Sequence, residues 1–261
     1  MTPAAIIEGK VIALFAVAGV SVILAAYSVR VSRAGRIASS RLDTVRGTVL
    51  LGRYPIEAFH WAARALGHAI SRTGITPDAL TLSSLVLTSF TLPLVATGYF
   101  EAAGTVLLLG SAFDALDGIV ARELGKASEA GEILDSVLDR YADAFCLAGL
   151  GVFYRESAWS LGIVIVALVG SMMVSYVRAK SEKFGLSLPA TLMRRPERIA
   201  YLAGALLIGP TLSSWLFPSH SNHPATLAIV ALVAVISNLS ALRLLGAARA
   251  ELRRRSSHRT S

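Results

Sequence analysis

Long apolar stretches alternate with short polar stretches along the whole chain. Each apolar stretch has about 20 residues, the length that a helix needs to cross the hydrocarbon core of a bilayer. Seven stretches have this character: 11–29, 79–99, 102–120, 133–153, 158–177, 199–217 and 225–245. The pattern predicts an all-α integral membrane protein with seven spanning helices and little material for a soluble domain.

The composition supports a membrane protein and narrows its chemistry. Hydrophobic residues make up 54% of the 261 residues, which is too many for an ordinary soluble domain. The net charge of +8 is not arranged as a basic stripe with interleaved aromatic residues, so we expect no nucleic-acid partner. The single cysteine, Cys146, lies inside a predicted span and is expected to be a core residue.

The basic residues are concentrated in alternate loops. Of the 25 lysines and arginines, 23 fall in four groups, at 30–72, 122–140, 178–198 and 243–259, and only Lys10 and Arg155 lie elsewhere. Seven helices threaded with the N-terminus outside would place all four groups in the cytoplasm, as the positive-inside rule requires. We therefore expect a bacterial inner (cell) membrane protein whose functional face lies on the cytoplasmic side.

The chain divides into three predicted parts. Residues 1–75 would form a transmembrane anchor, a basic connector and an interfacial helix, because the segment 56–72 has an apolar face and a polar face at helical spacing. That helix could give lipids access to a site or simply anchor the chain. Residues 76–248 would form a six-helix membrane domain. Residues 249–261 would form a basic cytoplasmic tail, which we expect to be disordered.

Five aspartates fall within or at the edge of predicted spans: Asp114, Asp117, Asp135, Asp139 and Asp143. Each costs roughly 2.5–3.5 kcal/mol near the centre of a membrane helix, so several together require a compensating charge or a function. Their spacings of three and four residues place each set on one helix face. The loop 123–131 is short, so the two helices are expected to be antiparallel and to bring the two sets together.

Converging carboxylates would repel one another unless a cation lies between them. Carboxylate oxygens favour Mg²⁺, Mn²⁺ or Ca²⁺, and two ions about 3.5–4 Å apart are a familiar arrangement for polarising phosphate oxygens. No histidine or cysteine has ligand spacing near these aspartates, which argues against zinc. A buried polar network or proton path with Arg122 and Arg140 as partners is the alternative from the residues alone.

Eight positions across 26 residues complete a recognisable signature. They are Asp114, Asp117, Gly118, Ala121, Arg122, Gly131, Asp135 and Asp139. Their identities and spacing resemble the signature of the CDP-alcohol phosphatidyltransferase family. The resemblance implies a six-helix membrane enzyme that transfers a phosphatidyl group from a CDP-activated lipid, CDP-diacylglycerol, to an alcohol and releases CMP. It covers roughly the last two-thirds of the chain and leaves the extra N-terminal helix unexplained.

The same resemblance implies roles for individual residues. Metal ligands would be Asp114, Asp117, Asp135 and Asp139, holding Mg²⁺ or Mn²⁺, with two ions expected, and Asp139 would be the candidate general base. The CDP-linked donor would be bound by Gly118, Ala121, Arg122, Gly131 and Thr81. The segment 76–81 resembles a family element near the nucleotide that usually carries Asn where this chain has Asp78. Asp143 lies outside the signature and would tune or orient its neighbours.

The acceptor alcohol is suggested by basic residues near the predicted cytoplasmic helix ends. These are Arg178, Lys180, Arg195, Arg198 and Arg243. A phosphorylated alcohol would need such a pocket beside an acidic metal site. The elements Ser-Tyr-Val-Arg-Ala-Lys and Arg-Pro-Glu-Arg resemble those of family members that use inositol phosphate. Glycerol 3-phosphate or another alcohol is the alternative acceptor, and plain positive-inside topology is the alternative role for the charges. Family members often form homodimers.

Two other classes of function, a transporter and a scaffold, are alternatives to an enzyme. An ion or proton transporter could use the same aspartates. For that function we would expect carboxylates at the membrane midplane, broken helices and repeated halves. A non-catalytic scaffold gives no reason for eight matched positions. The enzyme is therefore the leading interpretation.

Overall fold

A computed structural model describes residues 3–35, 52 and 54–257, and the regular structure within these residues is entirely helical. Ten helices occur in order: α1 Pro3–Ala34, α2 Tyr54–Ser71, α3 Pro77–Ser89, α4 Thr91–Ala96, α5 Phe100–Glu123, α6 Glu129–Phe153, α7 Ala158–Lys183, α8 Arg195–Leu207, α9 Gly209–Leu216 and α10 Pro224–Ser257. The predicted all-α class is confirmed.

The described residues contain five helices that are long and apolar enough to cross a membrane: Glu8–Ala34, Pro77–Ala96, Phe100–Glu123, Ala158–Lys183 and Pro224–Ser257. A sixth span results if α8 and α9, which are bent by 49° at their junction, count as one. Helix α6 does not qualify because Asp139, Arg140 and Asp143 interrupt its apolar stretch. The chain is thus an integral membrane protein, while the predicted number of seven spans is not confirmed.

Short polar signals set the ends of the helices around the aspartates. The hydroxyl of Thr76 accepts a hydrogen bond from the backbone N–H of Ala79 and caps α3. Ser128 caps α6 in the same way through the N–H of Gly131. Gly125 has φ of +65°, a conformation that glycine adopts without steric strain, just after α5 ends. These signals produce the predicted tight α5–α6 connection.

The apolar core lies between α4, α5, α6, α7, α8 and α10. Its fully buried side chains include Val95, Phe100, Leu107, Cys146, Leu147, Leu150, Leu206 and Val230. Cys146 is a buried free cysteine, as predicted. We call the end of the bundle that contains Phe100, Phe153, Tyr154 and His223 the far end. The opposite end, which holds the second half of α5 and the first half of α6, is the site end.

The N-terminal helices pack against the site end and the outside of α5. On α2, Ala63 and Gly67 face α5, and a Cβ at Gly67 would lie 2.6 Å from Cγ2 of Ile119. The buried hydroxyl of Tyr27 on α1 donates to Glu57 of α2 at 3.1 Å. Helix α2 forms where the amphipathic pattern predicts it. Most of the predicted basic connector lies outside the described residues.

The prediction of a disordered tail after residue 249 is wrong for its first part. Helix α10 continues without a break to Ser257, because the segment is rich in Ala, Leu, Glu and Arg, which favour helix. Arg255 pairs with Glu251 one turn earlier at 3.2 Å and donates to the backbone carbonyls of Phe184 and Gly185. Residues 258–261 lie outside the described part.

Candidate metal and phosphate site

Three of the predicted metal ligands converge at the site end. Carboxylate oxygens of Asp114, Asp135 and Asp139 all lie within 4.8 Å of one another, and the three residues are half-buried. We call these three residues the aspartate cluster. The spacing on α5 and α6 and the short connection between these helices therefore place the carboxylates together, as the sequence predicts.

Asp117 lies one turn after Asp114 on α5 and has a different environment. It is buried, and its Oδ2 atom accepts a hydrogen bond of 2.6 Å from the hydroxyl of Thr81 on α3. The structure therefore links Thr81, a predicted donor-binding residue, directly to a predicted metal ligand. Because Thr81 fixes one carboxylate oxygen, the orientation of Asp117 toward the cluster is restricted.

Two arginines from the start of α8 supply the positive charge beside the aspartates. Nη1 of Arg195 lies 2.6 Å from Oδ2 of Asp114 and 2.7 Å from Oδ1 of Asp139. Nε of Arg195 lies 3.5 Å from Oδ1 of Asp143, and Arg198 donates to the other oxygen of Asp143. The predicted alternative partner Arg140 instead donates to the backbone carbonyl of Ser136. Arginines of α8 thus offset part of the negative charge of the aspartates.

The cluster has the properties of a divalent metal site. Oδ1 of Asp139 is buried and is close to Arg195, but it receives no well-directed hydrogen bond from the described residues. The guanidinium of Arg195 shows that a cation is favourable between Asp114 and Asp139. Hard carboxylate oxygens are the ligands that Mg²⁺ and Mn²⁺ prefer. A buried carboxylate oxygen without a hydrogen-bond donor, such as Oδ1 of Asp139, suits such an ion. The residues present therefore fit a divalent ion.

Further arginines extend the positive region away from the aspartates. Nη2 of Arg178 and Nε of Arg194 are buried and have no hydrogen-bond partner in the described part of the chain. Burial lowers the pKa of Arg194 below its ordinary value, and the nearby charge of Arg178 lowers it further, whereas Glu197 opposes the shift. Guanidinium N–H groups that are buried without an acceptor favour an anion such as phosphate.

The remaining predicted residues divide between the site and the surface. The guanidinium of Arg122 folds back over Gly118, where a Cβ would lie 3.2 Å from Nη1. Ala121 is on the same turn, and Gly131 is in the first turn of α6, where Ser128 caps the helix. Lys180 and Arg243 are exposed. Exposed positions such as these contribute less to a buried phosphate pocket than Arg178 does.

Sequence reasoning missed two features of the site. Arg194 was not among the predicted residues, although it directly precedes Arg195. The link from Asp143 to Arg195 and Arg198 was also not foreseen, because it joins residues 52 and 55 positions apart along the chain. The only available signal was that Asp143 follows Asp139 by one helical turn.

Sequence comparison identifies similar proteins. The phosphatidylinositol phosphate synthase of Mycobacteroides abscessus is 35% identical over 195 residues, which cover 72% of this chain and 86% of that protein. The archaetidylinositol phosphate synthase of Pyrococcus horikoshii is 37% identical over 167 residues, or 58% of this chain and 84% of that protein. The similarity extends over most of the length of both relatives.

Structure comparison agrees with the sequence comparison. The crystal structure of Mycobacterium tuberculosis phosphatidylinositol phosphate synthase with CDP-DAG bound superposes with a TM-score of 0.62 at 27% identity, covering 71% of this chain and 92% of that one. The structure of the same enzyme with manganese and citrate gives a TM-score of 0.62 at 26% identity and covers 71% and 88%. A family model for CDP-alcohol phosphatidyltransferases matches residues 74–237. The chain therefore belongs to the CDP-alcohol phosphatidyltransferase family and is a membrane-embedded transferase.

Proposed function

We propose that the protein transfers the phosphatidyl group of CDP-diacylglycerol to inositol phosphate and releases CMP. The observation that carries this proposal is the contact between the aspartate cluster and Arg195 of α8, with Arg178 and Arg194 beyond it. An acidic metal site next to guanidinium groups that each have a buried N–H without an acceptor suits a reaction in which both substrates carry phosphate.

The metal ligands in this proposal are Asp114, Asp117, Asp135 and Asp139, which would hold two Mg²⁺ or Mn²⁺ ions. When bound, such ions neutralise the diphosphate of the donor and polarise its phosphorus–oxygen bonds. The closeness of three carboxylates supports the ligand set. The hydrogen bond from Thr81 supports Asp117 as a fourth, oriented ligand.

The chemical step joins the acceptor hydroxyl oxygen to the phosphatidyl phosphorus. The bond between that phosphorus and the bridging oxygen of the diphosphate breaks, and CMP leaves with the electron pair. Asp139 accepts the proton of the acceptor hydroxyl. Its half-buried carboxylate, with one oxygen lacking a directed hydrogen bond, supports this role.

The donor and the acceptor occupy different sides of the aspartate cluster in this proposal. Gly118, Ala121 and Arg122 of α5, with Thr81 and Gly131, bind the CDP portion. Arg178, Arg195 and Arg198 bind the acceptor phosphate, with Arg194 added from the structure and Lys180 and Arg243 at the entrance. The names of the similar synthases support inositol phosphate as the acceptor.

The proposed orientation places the site end in the cytoplasm of a bacterial cell, because the basic groups of the sequence follow the helix ends on that side. A homodimer is also proposed, on the strength of the family resemblance. Light scattering of the purified protein in detergent would test the dimer.

The test of the proposed function is CMP release by the purified protein with CDP-diacylglycerol and either Mg²⁺ or Mn²⁺. Inositol 1-phosphate, free inositol, glycerol 3-phosphate and serine are supplied in separate reactions. We expect release that requires both the metal and inositol 1-phosphate. Release with glycerol 3-phosphate instead would keep the transferase and change the acceptor, whereas release that persists in EDTA would overturn the metal site.

A further inference from the structure

Asp143 connects α6 to Arg195, which contacts the aspartate cluster, and to Arg198 on the next turn of α8. It is 7% exposed, and neither of its oxygens belongs to the three-residue cluster. Arg198 donates to one oxygen, and Nε of Arg195 lies 3.5 Å from the other. Because Arg195 and Arg198 are three residues apart, they project from the same face of α8, and one carboxylate can reach both.

Carboxylates lie on two sides of the Arg195 guanidinium. Nη1 of its guanidinium faces Asp114 and Asp139, while Nε on the other side faces Asp143. A planar guanidinium held from two sides has a defined orientation, whereas an arginine held at one point can rotate. Arg198 is 1% exposed and depends on the same carboxylate for its charge balance.

We propose that Asp143 is a positioning residue that orients Arg195 and Arg198 for the phosphate of the acceptor. This role rests on the proposed function, because it assumes a phosphorylated acceptor. Asp143 does not touch the substrate in this proposal. It sets how well the two guanidinium groups are arranged before the acceptor arrives, and preorganised groups bind an anion more tightly than mobile ones.

The roles of metal ligand and simple structural ion pair make different predictions. A metal ligand would change the affinity for Mn²⁺ when it is neutralised. A purely structural pair would lower the folded fraction and the apparent kcat without changing the KM of the acceptor. A positioning residue would change the KM of the acceptor more than that of the CDP-linked lipid.

The experiment compares the wild type, Asp143→Asn and Asp143→Glu as full-length purified proteins. For Asp143→Asn we expect the KM for inositol 1-phosphate to rise about ten- to hundredfold, which is the effect of losing the charged hydrogen bond from Arg198 and the ion pair with Arg195. The KM for CDP-diacylglycerol and the Mn²⁺ affinity from electron paramagnetic resonance titration should stay near the wild-type values. Asp143→Glu should restore part of the acceptor affinity.

Glu101→Gln is the matched control, because it neutralises another buried carboxylate of the same membrane domain. Glu101 lies 13 residues before Asp114 on α5, about 20 Å away along the helix. This variant should keep the wild-type KM for inositol 1-phosphate. An equal rise in the control would show that any buried charge loss disturbs the site and would overturn the specific role of Asp143.

The proposal remains testable if Asp143→Asn does not fold. Asp143→Glu keeps the charge and moves it by one methylene group, so a rise of several-fold in the acceptor KM supports positioning. A wild-type acceptor KM in every folded variant overturns it. If the wild type itself releases no CMP with any phosphorylated acceptor, the proposed function fails. If the wild type is active but the folded variants keep its acceptor KM, only the role of Asp143 fails.

Discussion

The two ends of the bundle are built from the same helices but from different chemistry. At the far end, α5 begins with Phe100, whose ring packs edge-on against Phe153 at 4.7 Å between centroids. At the site end, the same two helices carry the aspartates, which face arginines of α8. The far end is held by apolar and aromatic contacts, whereas the site end combines apolar packing with ion pairs.

The difference also appears in the buried polar atoms that lack a hydrogen-bond partner. Within the described residues, the charged side chains with such atoms are Asp139, Arg178, Arg194, Arg195, Glu197 and Arg198. All of them lie at or next to the site end. Incompletely satisfied polar groups are unfavourable for folding alone, so their concentration at one end indicates a surface arranged for ligands. Stability and function should therefore be separable by mutation.

The largest effect is expected from Asp139→Asn at the site end. This change removes a cluster carboxylate and the proposed base, so we expect CMP release to fall about thousandfold or more. The melting temperature in detergent should stay close to that of the wild type, because removing one repulsive charge from the cluster offsets the loss of the ion pair with Arg195.

The control for this prediction is Glu156→Gln, which neutralises an exposed carboxylate beyond α6 at the other end of the bundle. It should leave turnover and melting unchanged. Substantial turnover in purified Asp139→Asn would contradict the assignment of Asp139 both as a metal ligand and as the base.

The next-largest effect is expected at the far end, where a substitution should lower stability and leave the KM values unchanged. Phe100→Ala removes a fully buried ring between Phe153 and His223 and leaves a cavity at the far end. We expect a loss of about 3–5 kcal/mol in the free energy of unfolding. The KM values of the folded enzyme should not change, because the aspartate cluster lies about 20 Å along α5 from this ring. Thermal melts and steady-state kinetics on the same preparation measure both quantities.

Phe90→Ala provides the comparison, because this ring is 55% exposed at the junction of α3 and α4. It should cost far less stability in detergent. If Phe100→Ala raised the acceptor KM as strongly as it lowered the melting temperature, the two ends would not be independent.

The sequence predicts the aspartate cluster well because all of its information is local. Spacings of three and four residues, a short loop and Gly125 are enough to place Asp114 near Asp135 and Asp139. The contact of Arg195 with Asp114 joins residues 81 positions apart and depends on how α8 packs against α5. No periodicity within either helix encodes that contact, so Arg195 was expected near the site but not between the aspartates.

One expectation was wrong, and another was not confirmed. Residues after 249 are polar and basic, which suggested disorder, yet strong helix formers and the contacts of Arg255 with the end of α7 continue α10. Hydropathy predicted a span at 133–153, but the charges that form the site keep α6 from qualifying as one on composition. For the tail, the contacts of Arg255 with the end of α7 are tertiary contacts that composition does not contain.

A smaller effect tests the position of Arg195 in the site. Its guanidinium and a divalent ion would compete for Asp114 and Asp139, so Arg195→Gln should bind Mn²⁺ about tenfold more tightly than the wild type. The KM of the acceptor should rise at the same time. Electron paramagnetic resonance titration of Mn²⁺ measures the affinity without turnover.

Arg155→Gln is a suitable control for this titration, because Arg155 is an exposed arginine that pairs with Glu156 beyond α6. Its Mn²⁺ affinity should equal that of the wild type. Weaker Mn²⁺ binding in Arg195→Gln would mean that the arginine supports the ion. That result would contradict the competition between Arg195 and the ion for Asp114 and Asp139.

The smallest effect belongs to the far end and depends on pH. Burial lowers the pKa of His223 below its ordinary value of 6.5. The folded protein therefore favours the neutral ring, and the unfolded chain binds the proton more readily. Stability should be complete above about pH 6.5 and should fall as the pH drops from there toward the lowered pKa of the folded state. Melting temperatures between pH 8 and pH 5 measure this loss.

His223→Asn should remove that part of the pH dependence. His223 has φ of +45°, which asparagine tolerates, and the hydrogen bond from Tyr154 goes to its backbone carbonyl, so the substitution preserves both features. The neighbouring His220 is exposed, and His220→Asn should therefore keep the wild-type pH profile. If His223→Asn instead melted with the same pH slope as the wild type, acid sensitivity would have to come from the ion pairs of the site end, and the far end would contribute only apolar packing.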